Sequence, residues 1–265
     1  MEWQEWLAAI TRWAHIFAGI LWIGQTWYFT WLDHQFEDAE ANPGGKVWMV
    51  HSGGFYQVDK IKVPSPMPKT LHWFRWEAMT TAITGVILLY LVYFAGGLMV
   101  DIHGDEMSLA KALALAVGVM VGGWLVYDLI WISPLEKKPL AGAAICYALM
   151  VGLAWLLTQY VAGRPAFLLV AAVLGTIMVN NVWSRIIPAQ RAMIADRVAG
   201  REPDMALAVR AKNRSMHNTF IIMPVLFLMI SNHFPTVTYG AENNWLVFAL
   251  VTLVAWALVP VLRRR

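Results

Sequence analysis

Ionisable and amide side chains interrupt the apolar runs of this sequence at few places, and most of those places fall near the same ends of the runs. In hydrocarbon such a group is costly, so each is a candidate for binding or proton transfer. His72, Arg75 and Glu77 open the second run, Asp128 closes the third, Asn180, Asn181 and Arg185 lie near the end of the fifth, and Arg214, His217 and Asn218 open the sixth. The segment before the second run adds His51 and Tyr56. Spacings of three and four residues put His72, Arg75 and Trp76 on one helical face, and Arg214, His217 and Asn218 on another. Arginine, amide and imidazole donors beside Trp73, Phe74 or Trp76 suit a flat, anionic, hydrogen-bonding heterocycle. Any one of these residues has a blander reading, a side chain snorkelling to headgroups. Three helices and a loop presenting them at one depth favour a site. The catalytic candidates are His72 and His217 as bases, with Glu77. The binding candidates are Arg75, Arg214, Asn180, Asn181, Asn218, His51 and Trp76.

Toward the opposite ends of the runs lie His15, with Arg12 a turn away, and His233. Imidazole is the usual axial ligand of non-covalent haem, so His15 and His233 are candidate haem ligands, with His72 and His217 as alternatives. His217 and His233 lie about 24 Å apart along a helix at 1.5 Å per residue, too far to share one haem. The competing readings are a buried His15 bonded to a carbonyl and a His233 sitting in an interfacial loop. Cys146 is the only cysteine, which excludes a disulfide and the C-x-x-C-H attachment of a covalent c-type haem.

The elements that must position these residues are transmembrane helices. The 265 residues are 59% hydrophobic and only 14% charged, against about a quarter charged in an ordinary soluble domain. Runs of about 20 apolar residues are enough to cross a bilayer. They recur at 6–32, 71–99, 109–132, 140–160, 166–187, 215–232 and 244–262, with Pro188 closing the fifth and Pro224 kinking the sixth. The segment 189–214 is expected as an amphipathic surface helix. The expected fold is an all-α polytopic bundle of about seven spans, one domain over 1–265. The acidic start MEWQEW lacks a basic stretch and a cleavage site, so the first run is expected to remain as a span. The 15 Trp fit interfacial belts. The net charge of +3 does not point to nucleic acid, because the basic residues sit between apolar runs. Lysines and arginines crowd the loops after the first, third and fifth runs, and only Arg164 stands in those after the second, fourth and sixth. This asymmetry puts the N-terminus outside and the C-terminus in the cytoplasm.

The stretches RWAHIFAGILWIG (12–24), VHSGGFYQVDK (50–60), LHWFRWEA (71–78), GWLVYD (123–128), IIPAQR (186–191) and RSMHNTFIIMPVLFLMISNHFP (214–235) resemble the membrane domain of the bacterial urate oxidases that are usually fused to a cytochrome c domain. The resemblance covers the whole sequence in order. It implies an enzyme of the bacterial inner membrane that oxidises urate to 5-hydroxyisourate and passes the electrons to a cytochrome c, with lipid as its surroundings. That reaction removes two electrons and two protons, so it needs a base and an electron sink. Haem b is the simplest sink that the histidines permit. Such relatives commonly continue into another span and a C-terminal cytochrome c domain, and this sequence stops at Arg265. The expectation is that it is part of a longer chain, or that a separate cytochrome takes the electrons. The rival readings are a transporter or channel using the same polar cluster, and a cytochrome b-like conduit. The lack of an internal repeat weakens transport.

Overall fold

In a computed structural model, residues 2–38, 40 and 42–263 are described. Arg264 and Arg265, the end of the basic C-terminal run, lie outside them. The chain forms α1 (Glu2–Glu37), the hairpin β1 (Lys46–His51) and β2 (Gly54–Asp59), then α2 (Trp76–Leu88), which continues through a π turn at Leu89–Phe94. There follow α3 (Leu109–Ile132), α4 (Pro139–Leu157) and α5 (Gly163–Asn180), the last running through a second π turn (Asn181–Ile186) into α6 (Ile187–Val198). Next come α7 (Met205–Ile230) and α8 (Asn244–Arg263). Among the described residues, seven stretches are long and apolar enough to cross a membrane, with α5, its π turn and α6 counting as one.

Helix α5 occupies the centre because it is apolar on every side. Leu169, Val170, Ala171 and Val173 are all buried, and α3, α4, α7 and α2 surround them. Small residues let the helices approach closely. A Cβ on Gly123 of α3 would lie 2.6 Å from Val173 of α5, and one on Gly142 of α4 would lie 2.9 Å from the Trp131 ring of α3. The periphery is the reverse of a soluble protein's. Ile16, Ile20, Val117, Val121, Leu125, Leu250 and Val254 all stand exposed. A contiguous apolar exterior of this kind is an aggregation hazard in water and the ordinary outer surface in hydrocarbon.

Three expectations change. The fifth run does not end at Pro188. The helix passes through it, because the wider π turn just before accommodates a ring that would otherwise meet the carbonyl four residues back. The segment 189–214 is therefore two pieces, the end of α6 and the start of α7, joined by a short turn. Secondly, α2 starts only at Trp76, after the proline-rich stretch with Pro64, Pro66 and Pro68. His72 and Arg75 precede the helix and share no helical face with Trp76. Thirdly, the bundle is all-helical as expected, but the segment after α1 is more than a loop. The loop after α1 holds an antiparallel hairpin whose register pairs Val47 with Val58, Met49 with Tyr56 and Val50 with Phe55. Its two-residue turn is Ser52-Gly53, both at positive φ (50° and 76°), the backbone of a tight primed turn. The hairpin lies back along α1, where the Tyr28 hydroxyl contacts the Met49 sulfur at 3.5 Å and Lys60 pairs with Asp33.

Candidate functional site

The polar heart of the bundle lies where α3, the second π turn and the first half of α7 meet. Asp128, near the end of α3, accepts from two arginines. Arg185 on the π turn donates to both carboxylate oxygens, its Nε at 2.9 Å from Oδ1. Arg214 on α7 donates through NH2 to the same Oδ1, also at 2.9 Å. Arg214 and Asp128 are buried. A buried ion pair repays its desolvation only with further hydrogen bonds, and Asn181 supplies them. Its Oδ1 accepts from Arg214 NH1 at 3.4 Å, and its Nδ2 donates to the Tyr127 hydroxyl and to Asn218 Oδ1, each at 2.9 Å. Asn218 Nδ2 donates in turn to the Met178 carbonyl at 3.0 Å. The Tyr127 hydroxyl also lies 2.7 Å from His217 Nδ1. The His217 ring packs 4.1 Å, centroid to centroid, from Trp131, and the Arg214 guanidinium lies 5.2 Å from the centre of the Tyr127 ring.

Local structure explains the convergence. Tyr127, Asp128 and Trp131 are three- and four-residue neighbours on α3, as are Arg214, His217 and Asn218 on α7. The π turn inserts one residue into the long central helix and turns Asn181 and Arg185 toward different partners. Two guanidiniums share one carboxylate, so the cluster carries one uncompensated positive charge.

This cluster forms one wall of a cavity of about 1130 Å³ between α3, α4, α5 and α7, which Tyr127, Trp131, Arg185, Arg214 and His217 line. Pockets that hold drug-sized ligands run to about 300–1,000 Å³. The cavity therefore has room for more than one small heterocycle.

Of the expected site residues, the fold brings together His217, Arg214, Asn181 and Asn218. Asn180 is half-buried and turned back on its own helix, with Nδ2 donating to the Thr176 carbonyl at 2.9 Å. His72 is exposed and borders a smaller cleft of about 290 Å³ with Trp73 and Arg197. The Arg75 guanidinium lies over the rings of both Trp73 and Trp76, at 5.7 and 5.4 Å from their centroids. Glu77 keeps one buried carboxylate oxygen without a hydrogen bond, as Arg75 keeps its Nε. Trp76 is exposed, and His51 sits at the hairpin tip bonded to Ser52 at 2.8 Å. None of these six lines the large cavity. His15 packs between α1 and α2, its Nδ1 3.0 Å from both the Thr81 carbonyl and the Thr84 hydroxyl. His233 is exposed in the turn after α7. Neither borders a described cavity.

Sequence reasoning missed Tyr127 and Trp131, and it noted Asp128 and Arg185 without giving them a role. The usable signal was Y-D-x-x-W on one helical face, opposite a basic residue on each of two other helices.

The fold thus defines a helical protein of membrane-spanning proportions with a cationic, amide-lined site between its apolar helices. The chain belongs to the family described as Urate oxidase N-terminal, whose pattern matches residues 2–262. No curated protein and no solved structure matches it. Family membership identifies it as an oxidase-type enzyme of the urate oxidase kind.

Proposed function

We propose that the chain oxidises urate to 5-hydroxyisourate at the Arg185–Arg214–His217 wall of the large cavity. The observation that carries the reading is the single excess positive charge of the Asp128–Arg185–Arg214 cluster. A planar monoanion with carbonyl acceptors would neutralise it, and charge-assisted hydrogen bonds from guanidinium are the strong kind. Trp131 and Tyr127 offer flat apolar surface beside those donors. The stoichiometry is urate plus water giving 5-hydroxyisourate, two protons and two electrons, with the water oxygen becoming the new hydroxyl. His217 is the proposed base. It accepts a proton at Nε2 when Nδ1–H donates to the Tyr127 oxygen, which then receives bonds from both His217 and Asn181. Tyr127 and Asn181 hold the ring, and Arg214 and Arg185 hold the anion.

The electrons are proposed to leave through a membrane redox cofactor to a cytochrome c, a partner that rests on the family resemblance. For haem b, the site offers one imidazole. The competing assignment gives His217, the candidate histidine that borders a cavity of sufficient size, to the haem through Nε2, in which case the substrate and its base lie elsewhere. Haem would supply one-electron chemistry there. The basic ends of the helices are proposed to face the cytoplasm of a bacterial inner membrane.

Anaerobic equilibrium binding of urate to the purified chain tests the reading. Arg214→Ala is expected to weaken binding at least tenfold, since 1.4 kcal/mol is a factor of ten. Arg164→Ala removes a guanidinium bonded to Asn232 at the opposite end of the bundle and should leave affinity unchanged. Equal affinities for the two variants would remove the substrate from this wall.

A further inference from the structure

The large cavity has two unlike ends. At one, Glu136, Arg210 and Asn213 line a polar mouth beside the ends of α3 and α6. Tyr127, Trp131, Arg214 and His217 form a waist. Beyond the waist the lining turns apolar: Gly118, Val119 and Gly122 of α3, Met150 and Leu153 of α4, and Val170 of α5. From Tyr127 to Gly118 this upper groove extends about 14 Å along α3 at 1.5 Å per residue. Two of its glycines are vacant places in the wall, for a Cβ on Gly118 or Gly122 would meet no atom within 4 Å. The groove opens sideways between α3 and α4, where its lining residues Val126 and Leu149 are 47% and 49% exposed. Helix α4 packs on α5 and α8 more than on α3, which leaves that side open.

A mouth fit for a water-borne anion and a lateral groove fit for a linear apolar chain converge on one imidazole. We infer that the upper groove takes the tail of a membrane quinone whose ring reaches the waist, so that the quinone is the direct oxidant of urate. This inference rests on the urate reading above. The chemistry closes without a further reagent. Urate and water lose two electrons and two protons, and the quinone's two carbonyls take up both to become two hydroxyls. Water's oxygen remains on the product carbon. A haem would accept one electron at a time and no proton, leaving both protons to find another route. An ordinary phospholipid would fill the groove equally well and could not accept the electrons. Arg214 and the Tyr127 hydroxyl stand where a quinone carbonyl needs donors.

The test is anaerobic reduction of decylubiquinone by urate with the purified full chain, read as quinol formed, beside ubiquinone-0, which lacks a tail, and ferricyanide, which needs no site. Gly122→Leu fills the groove. It is expected to raise the KM for decylubiquinone at least tenfold, to leave the KM for ubiquinone-0 unchanged, and to strip quinone that co-purifies with the wild-type chain. Gly118→Leu gives an independent second reading of the same wall. Equal effects on the tailed and tail-less quinones would overturn the inference. So would extraction of phospholipid without quinone, or a haem absorption band that urate reduces. Reduction of ferricyanide but of no quinone would overturn it while the urate reading survives, and failure with every acceptor would remove both.

Discussion

At the scale of single residues, the site is a chain of hydrogen bonds ending on one imidazole. Arg214, His217, Asn181 and Asn218 were legible in the sequence because charge and amide groups inside an apolar run are expensive and therefore conspicuous. Tyr127 and Trp131 were not, because an aromatic ring among 15 Trp and 8 Tyr gives no such contrast. His72 and Arg75 misled for a specific reason. Their spacing suits a helix, but the prolines just before them keep the backbone out of one until Trp76. The Tyr127 hydroxyl makes a sharp prediction, since it touches His217 and would touch no proton of the substrate. Tyr127→Phe keeps the ring against the Arg214 guanidinium and removes the acceptor that holds Nδ1–H. Steady-state kinetics should show kcat for urate falling at least tenfold with KM little changed, and an altered pH profile. A proportional rise in KM would mean that Tyr127 binds substrate instead.

At the scale of elements, boundaries set by apolar length were readable almost to the residue in α3 and α8. Those set by local backbone geometry were not. The hairpin went unseen although the β-branched and aromatic residues of V-W-M-V-H-S-G-G-F-Y-Q-V flank a Ser-Gly turn dipeptide, because the polar loop context hid the strand signal. Both π turns were invisible, since an extra residue in a helix leaves apolar composition unaltered. Helix contacts were also hidden, because whether a glycine faces a neighbour or a gap depends on the rotation of its helix. Gly118 and Gly123 of α3 make the contrast measurable. Gly123→Ala forces a methyl into Val173, an overpacking that costs about 1–3 kcal/mol, whereas Gly118→Ala meets open space. Thermal unfolding in detergent should show a lowered midpoint for the first variant and an unchanged or raised one for the second. Equal midpoints would contradict the described α3–α5 approach.

For the whole molecule, the distribution of charge carries the argument. The ends of the bundle differ: Lys60, Lys212 and the Asp33 and Glu37 carboxylates that pair with them gather at one, while Asp101, Asp105 and Glu106 occupy loops at the other. The excess of basic residues at the first end is the property that fixes orientation in a bilayer. A reporter active only outside the cytoplasm should therefore work when inserted at 101–106 and fail at 199–204. The inverted pattern would turn the cavity mouth toward the periplasm and change which pool of urate reaches it. Sequence supplies a definite expectation at this scale, because orientation depends on loop composition and not on packing. It could not show that α3 and α4 stand apart, which is a relation between surfaces.

The π turn at Asn181–Ile186 is, in effect, a phase shift written into the central helix of 36 residues, which α1 alone equals among the described residues. One extra residue advances a helix by about 100°, so the strips before and after it answer to different neighbours. Upstream, Val170, Val173 and Ile177 keep step with α3, while downstream Pro188, Ala189 and Ala192 keep step with the cavity mouth. Substitutions in one strip leave the timing of the other intact. Removing a single residue between them would swing all of α6 out of step, and the mouth would lose one of its walls while every apolar run kept its length.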